Sequence, residues 1–239
     1  MAKFIICHKQ FDLPLGQSKK EEYTVLCPKG TTIENWPNII YYESNLDNRV
    51  WSEISAMDWI YRNVNTDWVE LNHYRRLLET FDNHICVSKA IYLTTNLANH
   101  YNITHNIQDL SIVSNIIKQK FPVYYNEWIA SLQTNIFRPY NMCSFPIEIY
   151  RDYMTVMMTI LYDYCNIVKC HTYEDFVNKT TNEPIYTQKT TDDKNTDPIY
   201  QARIPAFLSE RISSWFYKLL TIKGEIVYPC EVKKYNGGW

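Results

Sequence analysis

The chain has 239 residues, a formal net charge of −2, 46% hydrophobic residues and 21% charged residues. These are ordinary globular values, and they exclude a general electrostatic attraction to nucleic acid, so polyanion binding would need a local basic patch. The seven cysteines lack metal-binding spacing, the first residues do not resemble a signal peptide, and no apolar run approaches the roughly 20 residues of a membrane span. The sequence therefore predicts a soluble, cytoplasmic protein with reduced thiols and no membrane span.

The first third of the chain has an α/β pattern. Short apolar runs predict strands, and apolar residues at helical spacing predict one helix between the third and fourth strands. In chain order these elements are strands 3–7, 23–27 and 38–42, helix 52–63 and strand 68–72. Strands and a helix joined by short connections predict an α/β fold, here a single domain over residues 1–239.

The rest of the chain is more helical. We predict a strand over 85–93, a polar loop over 94–105, a strand over 137–145 and a final strand over 225–228, with helices over 107–120, 146–165 and 205–220. Asn106 would cap the first of these helices, with Asp109 placed as in a capping box, so Asp109 and the neighbouring His105 are open to a structural or a functional interpretation. Residues 166–197, rich in Thr, Asn, Lys and Asp, predict a mobile loop.

The segment Asp67-Trp-Val-Glu-Leu-Asn-His-Tyr-Arg-Arg76 begins as a strand and ends on His73, Tyr74, Arg75 and Arg76. Open α/β sheets bind ligands at the carboxyl ends of their strands. Two adjacent arginines there can pair with phosphate oxygens in a bidentate way. A surface arginine pair that neutralises a nearby acid is the equally weighted alternative.

Four further residues are candidates. His8 and Lys9 follow the first strand, a suitable place for a phosphate or base contact. Glu210, beside Arg211 in the last helix, is either a general base or sugar ligand, or an acid that favours the helix N-terminus. Glu53 is open to the same two interpretations.

Common catalytic motifs are absent from the sequence. It has no nucleotide-binding glycine motif, no G-x-S-x-G and no H-E-x-x-H, and only 5 glycines. The Asp-x-Asp with which metal-dependent nucleotide-sugar transferases usually end a central strand is also missing, and His73–Arg76 stands in its place. Because arginines can stabilise a leaving diphosphate, the sequence predicts a metal-independent site if the protein is such an enzyme.

Six motifs in order resemble the H-Y-R-R family of small bacterial glycosyltransferases of capsule and exopolysaccharide clusters, which was long catalogued as a domain of unknown function and has galactofuranosyltransferase-like members. The matching segments are His8-Lys9, Glu53–Asn63, His73–Arg76, His105–Leu110, Tyr140–Met142 and Phe207–Ile212. The resemblance spans nearly the whole chain. It implies a GT-A-like (Rossmann-like) mixed sheet flanked by helices and a transferase that uses a nucleoside-diphosphate sugar, taken here as UDP-linked, without a further cofactor.

The resemblance also implies roles for the residues that match its motifs. Arg75 and Arg76 would bind the diphosphate, and Glu210 would act as base or sugar anchor. The other expected substrate contacts are His8, Lys9, Glu53, His73, His105, Asp109, Asn141, Met142 and Arg211.

The acceptor is expected to be a hydroxyl of a surface glycan. Because the composition also resembles that of tailed-phage proteins, the alternative is a phage-type enzyme that glycosylates hydroxymethylated cytosine in DNA. A non-catalytic module that stacks sugars or nucleotides on its aromatic side chains is the second alternative.

Overall fold

The computed structural model describes residues 1–188 and 196–235. Its strands are β1 (Ala2–Ile6), β2 (Thr24–Pro28), β3 (Ile39–Tyr42), β4 (Trp68–His73), β5 (Arg76–Leu78), β6 (Ile85–Ser88), β7 (Ile91–Tyr92), β8 (Ile136–Phe137), β9 (Cys143–Pro146), β10 (Val227–Cys230) and β11 (Val232–Lys234). Its helices are α1 (Gln17–Glu21), α2 (Asn48–Trp51), α3 (Glu53–Asn63), α4 (Leu97–Thr104), α5 (Ile107–Lys120), α6 (Tyr125–Leu132), α7 (Ile147–Val168), α8 (Tyr173–Asn182), α9 (Pro198–Gln201) and α10 (Ile204–Ile222). Short 3-10 turns lie at Pro122–Tyr124 and Pro184–Tyr186.

A mixed sheet with the strand order β10-β6-β9-β4-β1-β2-β3 forms the centre of the molecule. The strands run parallel to one another except β9, which lies antiparallel between β4 and β6. β1 pairs with β2 on one side and β4 on the other, so the chain reverses its direction of travel across the sheet between β3 and β4. The carboxyl ends of β1 and β4 therefore lie at a topological switch point, where α/β sheets form their ligand crevice.

The two faces of the sheet are covered differently. Side chains alternate along β1, so that Phe4 and Ile6 join the main core, whereas Ile5 and Cys7 point to the other face. The main core contains the apolar faces of α3, α5, α7 and α10. The other face is covered mainly by the segments around Leu13 and by the β4–β5 turn. A mixed sheet with helices packed against it is thus present, and the predicted mixed α/β architecture is confirmed.

The predicted loop over residues 166–197 was wrong in its first part. Helix α7 continues to Val168, and α8 begins at a complete capping box in which Thr172 and Asp175 bond each other's backbone N–H groups. Phe176 and Tyr186 are fully buried, and this apolar burial holds the polar segment onto the core. Residues 189–195 of the predicted loop lie outside the described residues.

The polar loop predicted over residues 94–105 was also wrong, because it contains α4. Asn96 caps this helix through the backbone N–H of Asn99, and Leu97 and Tyr101 are buried. The two strands predicted over 85–93 and 137–145 are each interrupted: the first divides into β6 and β7, and the second gives β8 and β9. The residues between β8 and β9 form a turn that belongs to the candidate site.

Candidate functional site

The candidate site lies at the carboxyl ends of β1 and β4. Ile6 pairs with His73, and the backbone N–H of Tyr74 donates to the carbonyl of Ile6 at 3.0 Å. His8 and Lys9, which follow β1, are thus brought next to the His73–Arg76 segment. The ends of these two strands, each followed by candidate site residues, are thus neighbours in the sheet.

A tight hairpin fixes the two arginines. His73 and Arg76 are antiparallel partners, and Tyr74 and Arg75 form the turn between β4 and β5. Tyr74 is buried at 3% exposure, so the turn is anchored by its ring. The sequence predicts His73–Arg76 at the end of one strand. In the structure this segment turns back on itself, and the buried Tyr74 lies between His73 and the two arginines.

Buried polar side chains of β4 stabilise the hairpin through hydrogen bonds. Glu70 accepts hydrogen bonds from Asn72 and from the hydroxyl of Thr80, both at 2.7 Å. Asn72 in turn accepts from the backbone N–H of Leu78 at 2.7 Å. Because each buried polar group is satisfied by the next one, this network holds β5 against β4 and limits the movement of the arginine turn.

Two adjoining cavities form the candidate cleft. The strand-end cavity, of about 230 Å³, lies against His8, Lys9, Ser52 and Tyr74. The helix cavity, of about 320 Å³, is bounded by α4, the β8–β9 turn and α10. Both cavities are lined by the same four side chains, Glu53, His73, Arg75 and Arg203. These four residues therefore mark the boundary at which a ligand could extend from one cavity into the other.

Guanidinium groups supply much of the positive charge of the cleft, and that of the buried Arg211 is one of those that line the helix cavity. Arg75 and Arg203 line both cavities, and Arg76 lines the helix cavity. Arg76 stacks on the ring of Tyr140 with 4.2 Å between the guanidinium carbon and the ring centroid. Arg203 donates from Nε to the hydroxyl oxygen of Ser52 at 3.0 Å. A concave site with several fixed guanidiniums is suited to a polyanionic ligand such as a diphosphate.

The two histidines of the strand-end cavity are neutral. Burial, followed by the charges of Arg76 and Arg75, lowers the pKa of His73 to about 3. Desolvation, followed by the charges of Arg203 and Lys9, lowers the pKa of His8 to about 4. Nδ1 of His73 accepts from the backbone N–H of Arg75 at 3.3 Å, so the neutral ring carries its proton on Nε2. Both rings can therefore take part in hydrogen bonding without adding charge.

Glu53 lies between the two cavities at the first position of α3. Its Oε1 accepts a hydrogen bond from the side-chain amide of Asn141 at 3.0 Å. Burial, followed by the charge of Glu210, raises the pKa of Glu53. The preceding residue, Ser52, has a φ of 50°, which L-residues rarely adopt, and its hydroxyl is held by Arg203.

Glu210 lies on α10 at the opposite wall of the helix cavity. Its Oε1 accepts from the backbone N–H of Tyr140 at 3.0 Å, and its Oε2 lies 3.3 Å from Nη1 of Arg211. Arg211 is buried and donates from Nη1 to the carbonyl of Phe207 at 3.0 Å. Its other terminal nitrogen lies 3.0 Å from Nδ1 of His100. Glu210 thus links the β8–β9 turn to α10.

Other predicted site residues divide between the cleft and the core. His105 lines the helix cavity, stacks on Phe207 with 3.9 Å between ring centroids, and lies 3.0 Å from Oε1 of Gln201. Asn141 and Met142 are almost fully buried and line neither cavity. Met142 packs in a small apolar cluster, so the expected contact between Met142 and a sugar is not supported by its position.

Asp109 lines neither cavity, and its predicted capping role is not observed. Asn106 caps α5 through the N–H of Gln108, whereas the buried Asp109 carboxylate accepts from the hydroxyls of Tyr164 at 2.6 Å and Tyr186 at 2.8 Å. The hydroxyl of Tyr101 is 3.4 Å away. Asp109 therefore joins three tyrosines from α4, α7 and the 3-10 turn after α8, which is a structural role.

This buried carboxylate gives a pH prediction. Burial raises the pKa of Asp109 from 3.8 to about 6, against the opposing effect of the two tyrosine hydrogen bonds, with Lys179 and Glu183 as the facing charges. Between pH 3.8 and about 6, Asp109 is protonated in the folded state but has lost its proton in the unfolded state. The free energy of unfolding should therefore fall as pH rises from about 4 to 6, by on the order of 3 kcal/mol from this group.

Urea unfolding of the wild type and Asp109→Asn across this pH range measures the effect. The stability of the wild type should decline relative to that of the variant as pH rises, because the amide cannot titrate. Parallel curves for the two proteins would contradict the assignment.

Several cleft residues were missed in the sequence. Arg203, Ser52 and His100 lie outside the motifs matched in the sequence, whereas Tyr140 and Phe207 lie inside two of those motifs but were not assigned to the site. All five line the cleft. For Arg203 the sequence offers one signal: this basic residue stands just before a helix that has Pro205 in its first turn.

Two features are missing from residues 1–188 and 196–235. No group of three or more His, Cys, Asp and Glu side chains in these ranges is arranged to hold a metal ion. None of the helices in the same ranges has both the length and the apolarity that a membrane crossing requires.

Comparisons with known proteins agree with this architecture. The profile of a family described as "Domain of unknown function (DUF4422)" matches residues 80–181, which follow the arginine turn. The solved apo structure of the WbbM bifunctional glycosyltransferase superimposes with a TM-score of 0.70 at 16% identity, over 99% of this chain and 45% of that one. The chain thus spans less than half of that protein and shares its fold over that length. No curated protein sequence matches the chain.

Proposed function

We propose that the protein is a glycosyltransferase that moves a sugar from a nucleoside-diphosphate donor to a hydroxyl acceptor. The observation that carries the proposal is the convergence of Arg75, Arg76 and Arg203 on a cleft at the topological switch point. Positive groups fixed in such a cleft stabilise the charge that develops on a departing diphosphate. The shared fold with a glycosyltransferase supports the same class of reaction.

In this proposal the diphosphate lies across Arg75 and Arg203, where the two cavities meet. The nucleoside extends past His8 and Lys9, next to which a further cavity of about 440 Å³ contains Phe11 and Tyr235. Aromatic side chains of this kind can stack on a nucleobase, with a lysine close to the phosphates.

The donor sugar then occupies the helix cavity. His73 and His105 line this cavity together with the aromatic rings of Phe137, Tyr140 and Phe207. Rings and neutral polar groups in one pocket are the combination that sugar recognition needs. Asn141 and Arg211 contribute indirectly, because they hold Glu53 and Glu210, respectively. The acceptor that we propose is a surface glycan.

A donor panel tests the proposal. The purified chain is incubated with UDP-glucose, UDP-galactose, UDP-N-acetylglucosamine and GDP-mannose, with and without an oligosaccharide acceptor, and released nucleoside diphosphate is measured. Release above the background indicates an enzyme and identifies the donor. Binding of UDP without release from any donor would favour a non-catalytic binding module, and release that depends on hydroxymethylated DNA would favour the DNA-modifying alternative.

Chelation gives a second prediction for the same assay. Because guanidiniums supply the positive charge at the diphosphate, we expect EDTA to leave the turnover rate largely unchanged. Strong inhibition that Mn²⁺ reverses would contradict a metal-independent mechanism. Dialysis of the EDTA-treated protein into metal-free buffer is the control for a direct effect of the chelator.

A further inference from the structure

Two carboxylates face the helix cavity, and their surroundings differ. Glu53 lines both cavities, whereas Glu210 lines only the helix cavity. Glu53 therefore lies beside the place where the diphosphate is proposed to meet the donor sugar. In a displacement reaction the acceptor must approach the anomeric carbon, so a carboxylate at this boundary is within the region where a proton has to be removed.

Glu210 is committed to structural contacts. It holds the backbone N–H of Tyr140 and the guanidinium of Arg211, which is itself bonded to Phe207 and His100. Tyr140 has a φ of 82°, so the turn that it opens needs such an external contact to keep its shape. Protonation of Glu210 during a reaction cycle would weaken its contact with the arginine that links it to α4.

Glu53 is held in a way that leaves it able to accept a proton. Asn141 donates to Oε1, and Asn141 is itself bonded to Ser209 at 2.9 Å and to Ser213 at 2.5 Å. A neutral amide orients the carboxylate without neutralising it. The groups that face Glu53 are Glu210 on α10, Arg203 before α10, and His73 and Arg75 on the β4–β5 turn. Burial and the charge of Glu210 raise its pKa, which makes it a stronger base.

A hydrogen bond couples Glu53 to the proposed diphosphate site. Arg203 donates to the hydroxyl of Ser52, the residue directly before Glu53, and Ser52 has the unusual φ of 50°. The same arginine lines both cavities. The start of α3, which carries the base, is thus fixed relative to a cation that would stabilise the leaving group.

We propose that Glu53 is the general base of the transfer reaction and that Glu210 is a positioning residue; this inference rests on the proposed function. The carboxylate of Glu53 takes the proton of the acceptor hydroxyl, and the acceptor oxygen forms a bond to the anomeric carbon. The bond from that carbon to the phosphate oxygen breaks, and its electron pair leaves with the nucleoside diphosphate beside Arg75 and Arg203. This single displacement inverts the anomeric configuration.

The test uses Glu53→Gln, which keeps the shape and the partner of the side chain but cannot accept the proton. With the donor found in the panel, we expect kcat to fall by at least about 100-fold, with the Kd for UDP and the unfolding temperature close to those of the wild type. Glu148→Gln is the matched control, since Glu148 is an exposed acid in the first turn of α7. Glu53→Asp should recover part of the rate. In the wild type, kcat should rise with pH through one ionisation that Glu53→Gln lacks.

Glu210→Gln should lower kcat less than Glu53→Gln, and it should lower the unfolding temperature because it weakens the contact with Arg211. An active Glu53→Gln enzyme, or retention of the anomeric configuration in the product by proton NMR, would overturn the inference and leave the proposed function standing. A wild type that releases nucleoside diphosphate from none of the donors would overturn the proposed function, and with it this inference.

Discussion

Replacing Arg75 with alanine is expected to lower kcat/KM for the donor by about 10²- to 10³-fold, the usual effect of removing one fixed group that stabilises charge in the transition state. Arg75 lines the strand-end cavity, the helix cavity and the aromatic cavity beside Lys9. A ligand that extends from any one of these cavities into another has to pass its guanidinium. Arg75 therefore lies where the proposed function puts the diphosphate, and not only at one end of the proposed donor.

The fold should tolerate this change. The turn is anchored by the buried ring of Tyr74, on which the Arg75 guanidinium packs at 4.9 Å from the ring centroid, and by the Glu70–Asn72 network, whose hydrogen bonds do not involve the Arg75 side chain. Arg75→Lys keeps the charge but loses the planar, bidentate geometry, so it should recover only a small part of the activity. Arg151→Ala, which removes an exposed arginine from α7, is the matched control.

The measurements are initial rates of nucleoside diphosphate release, calorimetric binding of UDP, and the unfolding temperature of each variant. A folded Arg75→Ala protein that turns over its donor like the wild type would show that the arginine turn is not the diphosphate site. Loss of both UDP binding and turnover, with an unchanged unfolding temperature, is the expected result.

The central part of the fold could be predicted from the sequence because it depends on local patterns. The apolar runs that became β1, β2 and β4 and the helical periodicity of α3, α5, α7 and α10 are each visible within one short window. The pairing of β1 with β4 could not be predicted in this way, because it joins segments more than 60 residues apart in the chain. The predicted helix 205–220 differs from α10 by only one or two residues at either end.

The errors have a common physical cause, which is burial of polar-looking segments. α8 has little apolar content, but Phe176, Tyr186 and the hydroxyl of Thr180 are all buried against other elements. Tertiary contacts of this kind overcome weak local preference, and no local pattern reports them. The same reasoning applies to Asp109, whose position in the first turn of α5 suggested a cap, although its actual partners come from distant parts of the chain.

The candidate site was predictable only where the motif itself carried the chemistry. Arg75 and Arg76 were identified because adjacent arginines at a strand end can pair with phosphate oxygens, and both line the cleft. Arg203 has equal access to both cavities but reaches them through the packing of α10 beside α2 and α3, a long-range contact. Met142 was assigned to the sugar pocket because it belongs to the matched Tyr140–Met142 motif, yet its side chain packs in the core.

Replacing Asn141 with alanine is expected to lower the free energy of unfolding by about 2–4 kcal/mol, because it leaves buried hydrogen-bonding groups without a partner. Its side chain bonds Glu53, Ser209 and Ser213, and the hydroxyl of Ser213 lies 2.6 Å from that of Tyr153. This chain of bonds joins the cleft to the interior of α7 and α10. Loss of the amide should also release Glu53 from its fixed orientation and lower donor turnover.

A second substitution at Asn141 can separate the cost of the lost hydrogen bonds from the cost of backbone strain. Its φ of 51° is accessible to asparagine and glycine but strained for alanine. Asn141→Gly removes the same hydrogen bonds without that strain, so its loss of stability should be smaller than that of Asn141→Ala by about 1 kcal/mol. Urea unfolding of the two variants gives the difference directly. Equal losses in the two variants would show that the left-handed conformation costs alanine nothing here. If both variants were as stable as the wild type, the amide network would not hold the turn. In that case Glu53 must be oriented by Ser52 and Arg203 alone.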